Sequence, residues 1–169
     1  MRVGVLSDTH DRIPAIGAFA RRFSEAGVGL VIHAGDYCAP FALRPLIEAR
    51  LALAGVFGHN DGDREGLRAE AGRGVGTELY ESPHSVVLDG VRVMIVHDLG
   101  EVQQRSLDEH AVVIHGHTHR YAVEQRGESV LVNPGEACGW LHGTPTAAIV
   151  DLVTRQVELV RLEGPEWRL

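Results

Sequence analysis

The sequence has little cysteine and no long apolar run. Its two cysteines, Cys38 and Cys138, are too few and too far apart for a disulfide framework or a four-cysteine zinc site, which points to a reducing compartment. No stretch reaches the roughly 18 apolar residues of a membrane span, and Met1-Arg2 lead directly into a short apolar run without a secretory hydrophobic region. These absences predict a soluble, cytoplasmic protein with no membrane partner.

Basic residues are also scarce. The chain carries 16 Lys and Arg residues against 23 Asp and Glu residues, and its formal net charge is −7. Because non-specific nucleic-acid binding needs basic surface to displace counterions, we expect no extended nucleic acid as a partner. The sequence has no linker, repeat or low-complexity segment, and 169 residues are enough to bury a substantial core. We expect one domain over residues 1–169. The apolar C-terminal hairpin and Trp140 would suit either a contact between two copies of the chain or the completion of the core, so a homo-oligomer is one of two alternatives.

The first half of the chain alternates strand and helix patterns. Short apolar runs predict strands at residues 3–6, 30–32 and 51–57. Apolar residues at helical spacing predict a helix at residues 13–23, and Gly27 ends this pattern. Residues 41–50 are a second predicted helix, and residues 62–71, which are charged with Leu67 on one face, are an exposed third helix. This alternation indicates a parallel sheet with right-handed crossovers.

The second half is richer in strands. Residues 85–88 and 91–96 flank Asp89-Gly90, which is a signal for a type I′ hairpin. A strand at residues 111–114 follows a short polar helix, and further antiparallel pairs are expected at 121–124 with 130–132 and at 147–153 with 156–162. The prediction is an α/β fold of two mixed β-sheets packed face to face and flanked by helices, with a single doubly wound sheet as the structural alternative.

Metal-ligand side chains follow five of the apolar strand-like runs. These segments are Ser7-Asp8-Thr9-His10, Gly35-Asp36, Gly58-His59-Asn60-Asp61, His97 and His115-Gly116-His117-Thr118-His119. Histidine and carboxylate are costly to bury unless they are paired or bind a cation, and open α/β sheets form their ligand crevice at the carboxyl ends of strands. Two carboxylates with several imidazoles suit a pair of divalent transition metals, and the lone carboxylate of Asp36 can bridge them.

The remaining histidines have a plainer interpretation. We expect ordinary surface or supporting roles for a group of five, which consists of His33, His84, His110, His115 and His142.

Taken in order, the motifs resemble those of the calcineurin-like metallophosphoesterases: D-x-H, G-D, G-N-(H/N/C)-(D/E), H and G-H-x-H. The match runs from Val3 to about Asp151. It is closest to the small single-domain bacterial and archaeal phosphodiesterases of that superfamily. The segments that carry this similarity are Ser7-Asp8-Thr9-His10-Asp11, His33-Ala34-Gly35-Asp36, Asn133-Pro134-Gly135-Glu136 and residues 139–146.

The resemblance implies a binuclear metal site and a small phosphoester as the substrate. One metal would be held by Asp8, His10, Asp36 and His119, and the second by the shared Asp36, a residue of the Gly58 loop, His97 and His117. A hydroxide that bridges the two ions would attack phosphorus, because coordination brings the pKa of bound water to near 7. Manganese is the expected metal, and iron, nickel, cobalt or zinc would also suit nitrogen and oxygen ligands.

The Gly58 loop departs from the family pattern. The family usually has an asparagine ligand directly after this glycine and often a histidine next, whereas this chain has His59 and then Asn60. In the strict register, which aligns Gly58 and Asp61 without a gap, His59 is the metal ligand and Asn60 takes the position beside the leaving group. The alternative is a backbone shift that keeps Asn60 on the metal. His59, Asn60 and Asp61 are therefore the candidate catalytic residues.

A second departure lies after the ligand His97. Relatives often carry Gly-His there, and this chain has Asp98-Leu99, which removes one phosphate contact and adds a negative charge near the cleft.

Two other readings are open to test. Some proteins with this fold are binding scaffolds that have lost their metal ligands, but here nearly all ligands are present. A two-metal nuclease would use the same chemistry, but an enzyme that acts on long polymers is expected to carry a basic track, which the charge of −7 opposes. Phosphodiester hydrolysis is the expected activity.

Overall fold

The computed structural model describes residues 1–168 and contains two mixed β-sheets. The strands within these residues are β1 (Arg2–Leu6), β2 (Leu30–His33), β3 (Ala52–Val56), β4 (Thr77–Tyr80), β5 (His84–Leu88), β6 (Val91–Ile95), β7 (Val112–Ile114), β8 (Tyr121–Arg126), β9 (Ser129–Pro134), β10 (Thr146–Asp151) and β11 (Val157–Arg161). The six-stranded sheet has the order β11-β10-β1-β2-β3-β4, and the five-stranded sheet has the order β5-β6-β7-β9-β8.

Four α-helices connect the strands of residues 1–168. They are α1 (Ile13–Glu25), α2 (Arg44–Glu48), α3 (Arg64–Ala71) and α4 (Gln104–Asp108), and 3₁₀ turns occupy Pro40–Leu43, Leu99–Glu101 and Pro165–Trp167. In α1, a proline in the first turn favours helix initiation, and Ile16, Phe19 and Phe23 lie on the buried face. The helix ends before Gly27, which has a φ of 71°.

The registers bring the carboxyl ends of the parallel strands level with one another. In the first sheet, Leu6 of β1 is paired with His33 of β2, which is paired with Gly55 of β3. In the second sheet, Ile95 of β6 lies beside Ile114 of β7. Loops that follow these five strands therefore start from two aligned sheet edges.

The sheets pack face to face through small β-branched residues. Val5 and Ile32 of the first sheet and Ile95 and Ile114 of the second are fully buried in the shared core. Helices cover the outer faces: Phe19 of α1 lies in the cluster on the first sheet, and α4 covers the second. The predicted pair of mixed sheets flanked by helices is confirmed, and the alternative of a single doubly wound sheet is wrong.

Two local predictions differ from the structure. Strand β4 was not predicted because Thr77–Tyr80 has no apolar run, and it forms as an edge strand parallel to β3. The helix expected over residues 41–50 is split at Arg44, where a 3₁₀ turn gives way to α2 with Pro45 in its first turn. None of the helices in residues 1–168 combines the length and the hydropathy needed to cross a bilayer.

Candidate metal centre

The predicted ligands lie in the loops that follow five parallel strands. Two side chains follow β1, one follows each of β2, β3 and β6, and two follow β7. The structure brings these side chains into two groups whose ligand atoms lie within 4.8 Å of one another: Asp8 with His10 and His119, and His59 with His97 and His117.

Asp36 lies between the two groups. Its Oδ2 atom is 3.5 Å from His10 Nε2 in the first group and 3.5 Å from His97 Nε2 in the second. Within the first group, His119 Nε2 is 3.4 Å from Asp8 Oδ1. Two ligands that share a tetrahedral ion at ~2.1 Å lie roughly 3.4 Å apart. The spacing therefore suits two neighbouring ions that share Asp36.

Three atoms at the centre of this arrangement are buried and have no hydrogen-bond partner. They are Asp8 Oδ1, His10 Nε2 and His97 Nε2. A buried polar atom without a partner costs about 1–3 kcal/mol, so native structures rarely leave several of them together. A cation would satisfy all three, and the nitrogen and oxygen donors fit a divalent transition metal.

The opposite ring nitrogens of the histidines are held by other groups. His97 Nδ1 donates to the Ala34 carbonyl at 2.7 Å, and His119 Nδ1 lies 2.8 Å from the Glu136 carboxylate. His10 Nδ1 lies 3.3 Å from Cys38 Sγ. Metal-ligating histidines are usually fixed in this way, because the second hydrogen bond sets both the tautomer and the ring orientation. The Nε2 atoms are left facing the centre.

Backbone strain is concentrated in the same residues. Five predicted ligands have a positive φ: Asp8 (52°), His10 (36°), Asp36 (62°), His117 (66°) and His119 (61°). Residues other than glycine seldom adopt this backbone conformation, and each residue held in it costs on the order of 1–3 kcal/mol. Strain of this kind persists where the surrounding structure enforces it, which typically happens at functional sites.

Two glycines allow the ligand loops to approach one another. A Cβ atom on Gly58 would overlap the Asp36 carboxylate, and one on Gly116 would overlap Ser7 Oγ and come within 2.8 Å of Asp8 Oδ2. Any side chain at either position would push a ligand carboxylate away from the centre.

The two carboxylates differ in their electrostatics. Burial raises the pKa of Asp8, and this effect exceeds the opposing contributions of Ser7 and His119. Burial also disfavours the charge on Asp36, but hydrogen bonds from the backbone and side chain of Asn60 and the nearby His97 outweigh it and lower its pKa. A buried carboxylate that ionises reluctantly, such as Asp8, gains most from an adjacent cation.

The adjacent residues His59 and Asn60 lie in different surroundings. The His59 ring packs edge-on against His97 and His117, with centroid distances of 4.9 and 5.0 Å. Its Nε2 atom lies 2.9 Å from Glu101, and this hydrogen bond raises the pKa of His59. Asn60 instead donates to both Asp36 oxygens, at 2.8 Å from its backbone and 2.7 Å from its side chain.

Asp61 lies behind the centre rather than within it. Its buried carboxylate accepts backbone N–H groups from Gly58 at 2.7 Å, from Cys38 at 2.8 Å and from Asp36 at 3.0 Å. These bonds tie the loop after β2 to the loop after β3. The contacts suit a residue that positions Asp36 rather than one that touches the substrate.

Two residues that hydrogen-bond to predicted ligands were not identified from the sequence. Glu136 is buried and accepts hydrogen bonds from His119, from Leu141 N at 2.9 Å and from His142 N at 2.6 Å, which together outweigh its burial and lower its pKa. Its segment carried part of the family resemblance, which was the available signal. Glu101 is 42 residues from His59 in sequence and had no such signal.

Three of the five remaining histidines are buried. Burial lowers the pKa of His33 to about 3 and that of His115 to about 4. His33 Nε2 lies 3.1 Å from Thr9 Oγ1, and His110 Nδ1 lies 2.7 Å from the Ser106 carbonyl. His84 stacks on Tyr80 at the surface. These contacts suit residues that support their neighbours, and the expected surface or supporting roles of the five stay a prediction.

An open cleft of about 340 Å³ adjoins the first ligand group. It is bounded by His119, Arg120, Tyr121, Glu136, His142, Thr144 and Thr146. Hydroxyl and basic side chains thus lie next to a predicted metal ligand.

The comparisons with known proteins agree with the fold and the motifs. Residues 1–155 match the model of the calcineurin-like phosphoesterase superfamily domain. The phosphodiesterase MJ0936 of Methanocaldococcus jannaschii is 32% identical over 167 residues, which cover 96% of this chain and all of that protein. A probable metallophosphoesterase of Methanothermobacter thermautotrophicus is 32% identical over 183 residues, with 99% of this chain and 96% of that protein covered.

A solved structure is similar over the same length. It is described as a novel archaeal phosphodiesterase, is 30% identical and has a TM-score of 0.88, with 96% of this chain and all of that chain covered. The chain therefore belongs to the calcineurin-like phosphoesterase superfamily, whose enzymes hydrolyse phosphoester bonds with divalent metal ions. The family resemblance and the phosphoesterase class predicted from the motifs are confirmed.

Proposed function

We propose that the protein is a phosphodiesterase whose centre holds two divalent metal ions, with residues 1–169 acting as one domain. The observation that carries this proposal is the position of Asp36 Oδ2, 3.5 Å from His10 in one ligand group and 3.5 Å from His97 in the other. When bound, the ion pair supplies a hydroxide nucleophile near neutral pH and stabilises charge on the phosphoryl oxygens.

The residues divide into two ligand sets. Asp8, His10 and His119 would hold one ion and His59, His97 and His117 the other, with Asp36 shared. Asn60 donates to the shared carboxylate and keeps it ionised, because its two hydrogen bonds favour the charged form. Manganese is the proposed metal.

The surroundings favour a diester over a monoester. Asp98 lies 3.7 Å from His117, and Glu101 lies 2.9 Å from His59, so carboxylates border the second ligand group. A phosphodiester presents one negative charge to this rim, whereas a monoester presents nearly two. The M. jannaschii relative is also named a phosphodiesterase.

The manganese-loaded protein should therefore prefer bis(4-nitrophenyl) phosphate to 4-nitrophenyl phosphate. We expect kcat/KM to be at least about tenfold higher for the diester, since ~1.4 kcal/mol of added repulsion gives that factor. Both reactions release 4-nitrophenolate and are followed at mildly alkaline pH, with chelator-treated protein as the control. Preferential monoester turnover would contradict the diesterase proposal, and no turnover of either compound would favour a binding scaffold.

A matched pair of variants distinguishes whether His59 or Asn60 binds metal. His59→Ala should lower the affinity for one of the two ions by at least about 10-fold, because even the loss of a residue that only supports a ligand has an effect of this size. Asn60→Ala should leave both sites filled. Metal content is measured by elemental analysis after dialysis against limiting manganese. The reverse pattern would place Asn60 on the metal and His59 beside the substrate.

A leaving-group dependence accompanies this assignment. With His59 bound to metal and the Asn60 amide donating to Asp36, neither residue offers an acidic proton to the leaving group, and general-acid help is typically worth about 10²–10⁴-fold. The substrates would then be diesters whose leaving group departs without protonation, such as phenolates.

A further inference from the structure

Two large apolar side chains are exposed beside the metal centre. The turn at residues 139–145, between β9 and β10, presents Trp140 and Leu141, which are 58% and 69% exposed. The Trp140 indole Nε1 donates to the carbonyl oxygen of His10 at 3.4 Å. The indole therefore lies directly against one of the predicted ligand residues, at the rim of an otherwise polar centre.

Hydrogen bonds connect this turn to a predicted ligand through Glu136. Glu136 accepts the backbone N–H groups of Leu141 and His142 while its Oε2 atom contacts His119 Nδ1. Gly139 has a φ of 65°, and a Cβ atom there would come within 2.8 Å of the Pro145 ring. One buried carboxylate thus contacts both the turn and a predicted metal ligand, which places the turn beside the centre.

A cation covers part of the indole. The guanidinium carbon of Arg12 lies 4.0 Å from the Trp140 ring centroid, a distance typical of a cation–π contact. The guanidinium brings a positive charge to this side of the indole. An aromatic surface next to a cation suits a ligand that is both planar and anionic.

We propose that Trp140, supported by Arg12 and Leu141, binds the aromatic group on the ester oxygen that is not cleaved. The preferred substrates are then phosphodiesters that carry an aryl ring or a nucleobase on this side. The inference rests on the proposed phosphodiesterase function and adds the substrate class. Stacking tolerates different rings because every aromatic group offers a π-face.

The test compares two diesters with the same leaving group. Bis(4-nitrophenyl) phosphate and methyl 4-nitrophenyl phosphate both release 4-nitrophenolate, and only the group that stays on phosphorus differs. In Trp140→Ala, the kcat/KM value for bis(4-nitrophenyl) phosphate relative to that for methyl 4-nitrophenyl phosphate should fall about three- to tenfold, as expected for one lost aromatic contact. Trp140→Phe should retain most of the ratio. Val153→Ala, an exposed apolar residue between β10 and β11, serves as the control and should leave the ratio unchanged.

A binding measurement provides a readout that does not depend on turnover. The chain has two tryptophans, so Trp167→Phe leaves Trp140 as the single indole. Titration of this manganese-loaded variant with diphenyl phosphate should change the Trp140 emission saturably, and dimethyl phosphate should not.

The outcomes separate the inference from the function it rests on. If wild-type protein hydrolyses both diesters and Trp140→Ala leaves their ratio unchanged, the inference is wrong and the phosphodiesterase proposal stands. If wild-type protein hydrolyses neither, the proposed function fails. If light scattering shows that Trp140→Ala converts a dimer to a monomer and both rates fall equally, the surface is a contact between copies and the inference is overturned.

Discussion

Asp36→Ala is expected to remove both metal ions together. The Asp36 carboxylate lies 3.5 Å from a histidine nitrogen in each ligand group, so in the proposed centre its loss would take one ligand from each ion. The activity should fall at least about 10³-fold, because both the nucleophile and the charge stabilisation depend on the ions. Elemental analysis of protein reloaded with excess manganese gives the metal count, which should fall from two to near zero.

Asp63→Ala provides a matched carboxylate control. Asp63 caps α3 by accepting the Gly66 N–H at 2.9 Å and is exposed. Its replacement should weaken the start of that helix and leave two ions per chain. If Asp36→Ala retains one tightly bound ion, the two ligand groups act as independent sites and the shared-carboxylate arrangement is wrong.

The sequence predicted where the candidate ligands lie because two regular features coincide. Apolar runs such as Val3-Gly4-Val5-Leu6 mark buried strands, and the polar residues that follow them are placed at a sheet edge whatever the rest of the chain does. The ordered motifs then identified the family. Neither feature specified the register of the strands. The distance of 3.5 Å between Asp36 Oδ2 and His97 Nε2 could therefore be obtained only from the structure.

The supporting contacts were harder to predict because they join distant segments. Glu136 contacts His119 across 17 residues, and Asp61 contacts the backbone of Asp36 across 25. A carboxylate that accepts backbone N–H groups looks the same in sequence as one that binds metal, which is why Asp61 was grouped with the candidate catalytic residues. The positive φ of Asp8 and His119 is likewise imposed by the fold, since local propensity disfavours it.

Asp61→Ala should therefore affect stability more directly than chemistry. It removes the acceptor of three backbone N–H groups, of which those of Asp36 and Gly58 are buried. A buried donor left without a partner costs about 1–3 kcal/mol, so we expect the free energy of unfolding to fall by about 3 kcal/mol or more. Urea unfolding of the metal-free protein measures this directly, because the metal contribution is then absent.

Asp61→Asn is the conservative comparison for this position. Its carbonyl oxygen can still accept one or two of the three N–H groups, so its loss of stability should be smaller than that of the alanine variant. Both variants should also bind manganese more weakly, because fewer hydrogen bonds hold the Asp36 and Gly58 loops together. A catalytic role in direct contact with the substrate would produce a different pattern, in which kcat falls while the unfolding free energy and the metal affinity match those of the wild type. That pattern would show that Asp61 acts on the substrate, whereas a joint loss of stability and metal affinity would show that it acts by positioning Asp36.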